Sequence, residues 1–185
     1  MSANIFTDTD NRIIVFSDDV NNETMGKLSL ELLSFISKDN KDENEKKNFT
    51  RSPIHLHINS GGGEVYDMWS LIDIILTSKT PIYTYCTGMA MSAAFLIFIA
   101  GHKRMVTPHS TLMYHQVSCY RYGKYQDLVD DREEMDWIQN TIEEYVIKRT
   151  GLTKSSLKEF RQKKQDTYFH SVDAIEFGIA DQIVM

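Results

Sequence analysis

The sequence has few of the features that mark disulfide-rich, nucleic-acid-binding or membrane-spanning proteins. Its two cysteines, Cys86 and Cys119, are too few for a disulfide framework and predict a reducing, cytoplasmic compartment. Basic residues are in deficit, and the net charge of −6 argues against a nucleic-acid or anionic-membrane surface. The longest apolar run, residues 93–100, is much shorter than the roughly 20 residues that span a bilayer. Residues 1–10 are polar and acidic, which predicts neither a signal peptide nor a transit peptide.

The remaining composition predicts one α/β domain. With 185 residues, of which 42% are hydrophobic, the chain can bury a substantial core. Strands are expected at 12–16, 54–58, 82–87, 112–116 and at the end of the chain, and helices at 24–37, 64–78, 95–101, 126–149, 154–164 and 171–177. Residues 38–52 are rich in Lys, Asp, Glu and Asn, which indicates a solvated loop, with a partner-binding insertion as the alternative.

Ser92 stands where a predicted strand gives way to an apolar helix. It would therefore lie at a helix N-terminus, where free backbone N–H groups and the positive end of the helix dipole favour an alkoxide or an oxyanion. Small neighbours such as Gly88, Ala90 and Ala94 would let a substrate backbone approach. Taken alone, the stretch also fits an ordinary N-cap serine on a core helix.

A serine nucleophile needs a base, an orienting carboxylate and oxyanion donors, and the chain offers one of each. His115 lies at the end of a predicted strand, and Asp166 lies between a basic helix and the helix that Ser171 would cap. The run Gly61-Gly62-Gly63 follows a strand and opens a helix, an arrangement that exposes backbone N–H groups to an anion. Each feature alone also fits a packed histidine or a simple turn, but their joint occurrence favours catalysis.

Four blocks of residues, in register, resemble the caseinolytic Clp protease proteolytic subunit. They are Asn59-Ser60-Gly61-Gly62-Gly63, residues 88–96 around Ser92, Met113-Tyr114-His115-Gln116, and Asp166 followed by residues 174–181. The resemblance runs from about Arg12 to the C-terminus. It implies that Ser92 is the nucleophile, His115 the general base and Asp166 its orienting carboxylate. It also implies that the backbone N–H groups of Gly63 and Ala93 form the oxyanion hole.

The resemblance further implies a fold and an assembly. The fold would be the ββα superhelix shared by Clp proteases and the crotonase group, as one domain over residues 1–185. Its head would comprise about 12–116 and 150–185, and residues 117–149 would form a projecting strand-plus-helix handle through which two stacked heptameric rings interlock. An ATP-dependent AAA+ unfoldase would feed polypeptides to the oligomer, since the chain has no G-x-x-x-x-G-K-S/T loop of its own. The chemistry requires no metal and no cofactor.

Several departures from the family concern assembly. Val117 replaces a common proline, and Thr167 replaces a common arginine that takes part in ring contacts, so the usual ring–ring switch is not expected. The N-terminal axial loop is expected to be truncated, with residues 1–11 before the first strand. His55 and His57 occupy aromatic positions of the unfoldase-docking pocket. They also share one strand face at the spacing of a metal pair, although no third ligand is near in sequence, which favours a simple surface pair.

Two other functions remain open from the sequence. An acyl-CoA enzyme of the crotonase group would share the fold and hold a thioester oxyanion with backbone donors, but it would use acidic catalysts and would not need Ser92, His115 and Asp166 together. A catalytically idle or partner-activated scaffold subunit would pair with an active paralogue. Such subunits usually lose a member of the triad, whereas this chain keeps all three. A membrane-anchored serine–lysine peptidase is disfavoured because no anchor is predicted.

Overall fold

Strands and helices are interspersed along residues 4–184, the part of the chain that the computed structural model describes. The strands are β1 (Ile5–Asp8), β2 (Ile13–Phe16), β3 (Ile54–Ser60), β4 (Ile82–Met91), β5 (Lys103–Val106), β6 (Thr111–Tyr114), β7 (Thr167–His170) and β8 (Gln182–Ile183). The helices are α1 (Asn22–Glu45), α2 (Val65–Thr77), α3 (Ala93–Ile99), α4 (Tyr125–Arg149), α5 (Lys154–Lys163) and α6 (Ser171–Glu176). The α/β class predicted from the sequence is confirmed.

The strands form one sheet that branches at β4. Strands β2, β3, β4, β5 and β8 run parallel in that order, with β1 antiparallel at the outer edge of β2. Residues Tyr83–Cys86 of β4 pair with β5, whereas Met89–Met91 pair in parallel with β6, which carries β7 antiparallel on its other side. Parallel neighbours need crossover connections, and α1, α2 and α3 supply them. Strand β4 therefore leaves one ladder and enters another just before Ser92.

One face of the sheet is buried under helices. Along β3 the side chains of Ile54, Leu56 and Ile58 are fully buried, while those between them are half-exposed, because successive residues of a strand point to opposite faces. Helix α3 is buried along its whole length. The core therefore lies directly behind Ser92, which immediately precedes this helix.

The opposite face of the sheet carries the two histidines of β3. The His55 Nδ1 lies 2.8 Å from the Tyr85 hydroxyl, and the His57 ring stacks on the Tyr85 ring with centroids 4.4 Å apart. Within residues 4–184 no group of three His, Cys, Asp or Glu side chains is arranged to hold a metal ion. The two histidines thus belong to an aromatic cluster on a half-exposed face.

Helix α1 is two turns longer than predicted, so the expectation of a loop over 38–52 was wrong for residues 38–45. The added turns bury Asp39, whose carboxylate accepts two hydrogen bonds from Arg12, at 3.0 and 2.8 Å, and a third from the Thr80 hydroxyl at 2.7 Å. Arg51 in turn donates to Glu43 and to the Thr80 hydroxyl. These partners are distant in sequence, which is why the charged composition alone indicated a solvated segment.

Three short strands were not predicted. Strand β1 precedes the expected first strand, and its hairpin turn is fixed by the Asp8 carboxylate, which accepts from the backbone N–H groups of Asp10 and Asn11. Strands β5 and β7 were also missed because each has four residues without regular alternation of apolar and polar side chains.

The cap of the last helix also differs from the prediction. Ser171 was expected to cap α6, but His170 occupies the N-cap position, and the Asp173 carboxylate accepts its backbone N–H. The Ser171 hydroxyl donates instead to the carbonyl oxygen of Pro108.

Helix α4 is buried only in its C-terminal half. Ile138, Ile142, Tyr145 and Val146 lie in the core, whereas residues 118–134 are nearly all exposed. Residues 115–124, which lead into α4, form neither helix nor strand. The helix of the predicted handle is therefore present and exposed in its N-terminal half, but the strand predicted before it, after His115, is not formed. Among the helices of residues 4–184, none has both the length and the apolar character that a bilayer-spanning segment requires.

Candidate active site

Ser92 occupies a strained turn between β4 and α3. It is the N-cap residue of α3, but its hydroxyl caps no backbone N–H of that helix, so the ordinary N-cap interpretation is wrong. Its φ of 53° and ψ of −123° lie in a region that suits glycine and that other residues adopt at a cost. A strained serine between a strand and a helix presents its hydroxyl outward, which is the geometry of a nucleophile.

The Ser92 hydroxyl contacts the imidazole of His115. The Oγ of Ser92 and the Nε2 of His115 are 2.7 Å apart, within reach for proton transfer. The backbone fixes this pair, because the Ser92 N–H donates to the carbonyl oxygen of Met113, two residues before His115, at 2.9 Å. The predicted serine and its predicted base are therefore in contact.

Gly62 and Gly63 bring backbone N–H groups to the same turn. The Val20 N–H donates to the carbonyl oxygen of Gly62, and the Glu64 N–H donates back to the carbonyl oxygen of Val20, each at 2.8 Å. These bonds hold the glycine loop but leave the Gly63 N–H without a protein acceptor within residues 4–184. The Ala93 N–H, in the first turn of α3, is likewise not used inside this part of the chain.

These groups line one small cavity. Its volume is about 70 Å³, and Ser92, Ala93, Gly63 and His115 are among its lining residues. Most of the other lining residues are apolar: Val65, Leu96, Tyr114, Val117 and Ile142. An acyl group bound to Ser92 would thus have two backbone donors nearby for its oxyanion and an apolar wall for its side chain.

Asp166 lies beside His115 without bonding to it. Strand β7 pairs with β6 so that Thr167 stands opposite Tyr114, and Asp166 and His115 are the residues that adjoin this last pair. Both residues line a cavity of about 120 Å³, yet within residues 4–184 no hydrogen bond joins their side chains. The structure therefore assembles the serine, the histidine and the two backbone donors and places the carboxylate next to them.

A polar network behind His115 was missed from the sequence. The Gln139 Oε1 accepts the Val117 N–H at 2.9 Å, and its Nε2 donates to Glu143, which also binds Arg161. Burial and the charge of Glu143 raise the pKa of the neighbouring Tyr114 to about 12, so that phenol stays neutral. Gln139 interrupts the apolar stripe of α4 between Met135 and Ile142, and this was the one available signal.

Comparison with known proteins decides the family. A family model described as Clp protease matches residues 2–185. The chain belongs to the Clp protease family. Its relatives include the ATP-dependent Clp protease proteolytic subunit of Deinococcus radiodurans, 30% identical over 175 residues that make up 94% of this chain and 80% of the relative. Subunit 4 from Rhodococcus jostii is 31% identical over 185 residues, covering 99% of this chain and 90% of the relative.

Membership of the Clp protease family agrees with the fold and with the arrangement around Ser92. A third relative, the ATP-dependent Clp protease proteolytic subunit 1 of Prochlorococcus marinus, is 29% identical over 175 residues, 94% of this chain and 84% of the relative. Each of these three alignments covers most of both chains, and each relative is named as an ATP-dependent Clp protease proteolytic subunit. They favour neither the acyl-CoA enzyme nor the idle scaffold subunit that the sequence had left open.

Proposed function

We propose that this chain is a serine-type endopeptidase that cleaves extended polypeptides. The observation that carries the proposal is the 2.7 Å contact between the Ser92 Oγ and the His115 Nε2 beside the unused N–H groups of Gly63 and Ala93. A nucleophile, a base and two oxyanion donors are the parts that acyl transfer needs, and the relatives are named as proteolytic subunits.

The proposed reaction proceeds in two steps. The Ser92 oxygen attacks the scissile carbonyl carbon while its proton passes to the His115 Nε2, and the N–H groups of Gly63 and Ala93 hold the negative oxygen. His115 then returns the proton to the leaving amine, which completes the acyl-enzyme. A water molecule, deprotonated by His115, hydrolyses the ester and regenerates Ser92. No metal or cofactor is required in this scheme.

Asp166 is the proposed carboxylate partner of His115. Two observations support this role: both residues line one cavity, and the residues next to them, Tyr114 and Thr167, are paired between β6 and β7. We propose that association of subunits brings the carboxylate to the Nδ1 of the imidazole. An ionised carboxylate there would hold the imidazole in the tautomer that accepts the serine proton and would stabilise the imidazolium.

The assembly is proposed to be two stacked heptameric rings that enclose the active sites in the cytoplasm. Residues 117–149 would act as the handle between rings, and residues 12–116 with 150–185 as the head. The exposed surface of residues 118–134 supports this division, since it includes large aromatic side chains such as Tyr120, Tyr122 and Tyr125. An AAA+ unfoldase would supply unfolded chains and hydrolyse the ATP that the relatives' names mention.

The first test is labelling with a fluorophosphonate probe combined with size-exclusion chromatography and light scattering. Wild-type protein should be labelled in a fraction of fourteen-subunit mass, whereas Ser92→Ala should not be labelled at all. Ser118→Ala is the matched control, because Ser118 lines the same cavity and should be dispensable. An assembled wild-type protein that takes up no probe would refute the proposal.

A second test addresses Asp166. Asp166→Asn should lower the turnover of a peptide substrate in the assembled fraction by roughly 10⁴-fold, because the imidazole loses its orienting charge. In the unassembled fraction the same change should leave the slow labelling of Ser92 unaltered. If Asp166→Asn slowed the labelling of Ser92 equally in both fractions, that result would contradict the proposed coupling between assembly and the carboxylate.

A further inference from the structure

His115 is held by a regular strand on one side only. Strand β6 ends at Tyr114, so the sheet fixes the chain up to the residue before the imidazole. Beyond it, residues 115–124 form neither helix nor strand. The 2.7 Å contact between His115 and Ser92 therefore needs a second anchor on the C-terminal side of the histidine.

The side chain of Gln139 supplies that anchor. Its Oε1 accepts the backbone N–H of Val117, two residues after His115, at 2.9 Å. Its Nε2 lies 3.5 Å from the hydroxyl of Tyr114, the residue before His115. One amide group from α4 thus contacts the chain on both sides of the imidazole.

The orientation of this amide is set by a buried carboxylate. The Gln139 Nε2 donates to Glu143 Oε1 at 2.9 Å, and the Glu143 side chain is only 10% exposed. A carboxylate accepts but cannot donate, so the amide nitrogen must face Glu143 and the amide oxygen must face Val117. Arg161 on α5 completes the network with a bond of 3.1 Å to the same oxygen.

We infer that Gln139 is a positioning residue for His115. It acts by holding the Val117 N–H and so fixes the segment that carries the imidazole against Ser92. This inference rests on the proposed peptidase function and adds a residue to it that touches neither substrate nor the reacting atoms. Proton transfer depends steeply on the distance between the two heavy atoms, so a small displacement of the imidazole lowers the rate of acylation without changing substrate binding.

The test is a mutant cycle on the donor and the acceptor. Gln139→Met keeps the length and volume of the side chain but replaces the amide oxygen that accepts the Val117 N–H with a thioether sulfur, which is only a weak acceptor. Val117→Pro removes the N–H itself and restrains the backbone, and it breaks no sheet hydrogen bond because Val117 lies outside every strand. We expect Gln139→Met to slow fluorophosphonate labelling of Ser92, and to lower kcat with KM unchanged, by roughly fivefold to tenfold.

In the Val117→Pro background, Gln139→Met should slow the labelling of Ser92 by less than about twofold, since the N–H that Gln139 held is gone. Gln126→Ala is the matched control, because Gln126 lies on the same helix and is exposed, and within residues 4–184 its side chain bonds only to Asp130. It should label at the wild-type rate. The mass and thermal unfolding of each variant establish that the compared proteins are assembled alike.

Three outcomes would overturn the inference. Labelling of Gln139→Met at the wild-type rate would show that the anchor is not needed. An equal loss with and without Val117→Pro would show that Gln139 acts through Glu143 rather than through the segment after His115. If wild-type protein itself failed to label at Ser92, the proposed function and the inference would both fall, whereas the first two outcomes leave the proposed function standing.

Discussion

A β-carbon added to Gly62 would lie 2.8 Å from the Cβ of Ser92 and 2.6 Å from the carbonyl oxygen of Met91. Gly62 also has a φ of 99°, which other residues rarely adopt. The glycine loop and the turn at Ser92 are therefore packed together with no room for a side chain at Gly62. Gly63 and Ala93, whose N–H groups are the proposed oxyanion donors, line the same cavity.

We expect Gly62→Ala to displace the glycine loop from the turn at Ser92. Moving one oxyanion donor should lower the kcat of peptide hydrolysis by roughly 10²–10³-fold. Gly61→Ala is the control, since a β-carbon there meets no atom within 4 Å, and its kcat should stay within about twofold of wild type. Equal kcat values for the two variants would mean that the loop does not support catalysis.

The strained backbone at Ser92 should lower the stability of the folded protein at the position that activity requires. Ser92→Gly and Ser92→Ala both remove the hydroxyl, but only glycine adopts the φ of 53° without steric strain. The glycine variant should be more stable than the alanine variant by about 1 kcal/mol, and both should be inactive. The measurement is urea unfolding at one subunit concentration, because subunit association contributes to apparent stability. A more stable alanine variant would contradict the strain.

The buried pair of Arg12 and Asp39 should be a major source of stability for the long helix α1. Asp39→Ala leaves the guanidinium largely buried without its carboxylate, and we expect a loss of about 3 kcal/mol in the free energy of unfolding. Asp42→Ala breaks the surface pair with Lys46 on the same helix and should cost less than about 0.5 kcal/mol. Urea unfolding measures the free energy of unfolding of both variants. Similar losses would show that the buried pair of Arg12 and Asp39 contributes no more to stability than the surface pair.

The aromatic cluster on the half-exposed face predicts a loss of stability in acid. Burial lowers the pKa of His57, and the nearby His55 lowers it further. His57 therefore stays neutral in the folded protein at a pH where it already binds a proton in the unfolded chain, whose histidines titrate at about 6.5. Because the unfolded state binds more protons, stability should fall as the pH drops below about 6.5 towards the lowered value.

His57→Phe keeps the stacked ring on Tyr85 but removes the titration. The urea midpoint of this variant should fall less between pH 7.5 and pH 5.5 than that of wild type. His109→Phe is the control, because it makes the same histidine-to-phenylalanine change at an exposed position outside the aromatic cluster. If the urea midpoint changed equally with pH in all three proteins, His57 would not be the cause of the loss of stability in acid.

The central parts of the site were predictable because their signals are local. Ser92 follows a β-branched and aromatic run and precedes an apolar one, and the glycine run follows a strand in the same way. The unusual backbone at Ser92 could not be foreseen, since serine carries no signal for a positive φ. The length of α1 was missed because Asp39 depends on Arg12 and Thr80, which lie far away in sequence.

The relation between His115 and Asp166 could be predicted only in part. The resemblance to the Clp protease family indicated both residues, but their placement at one cavity depends on the pairing of β6 with β7, a strand too short to be recognised. The role of Gln139 could not be predicted for the same reason. Its contact with Val117 joins a helix to a loop that lies 22 residues earlier in the sequence.

The order of these residues along the chain has a consequence during protein synthesis. Chains grow from the N-terminus, and the parts made first begin to fold first. Ser92 and His115 are joined through β4 and β6, whereas β7, which follows Asp166 and pairs with β6, emerges from the ribosome later. A nascent chain that has already joined Ser92 to His115 therefore still lacks Asp166, the carboxylate proposed as the partner of His115. The late position of β7 thus separates in time the first contact of the site from the arrival of this carboxylate.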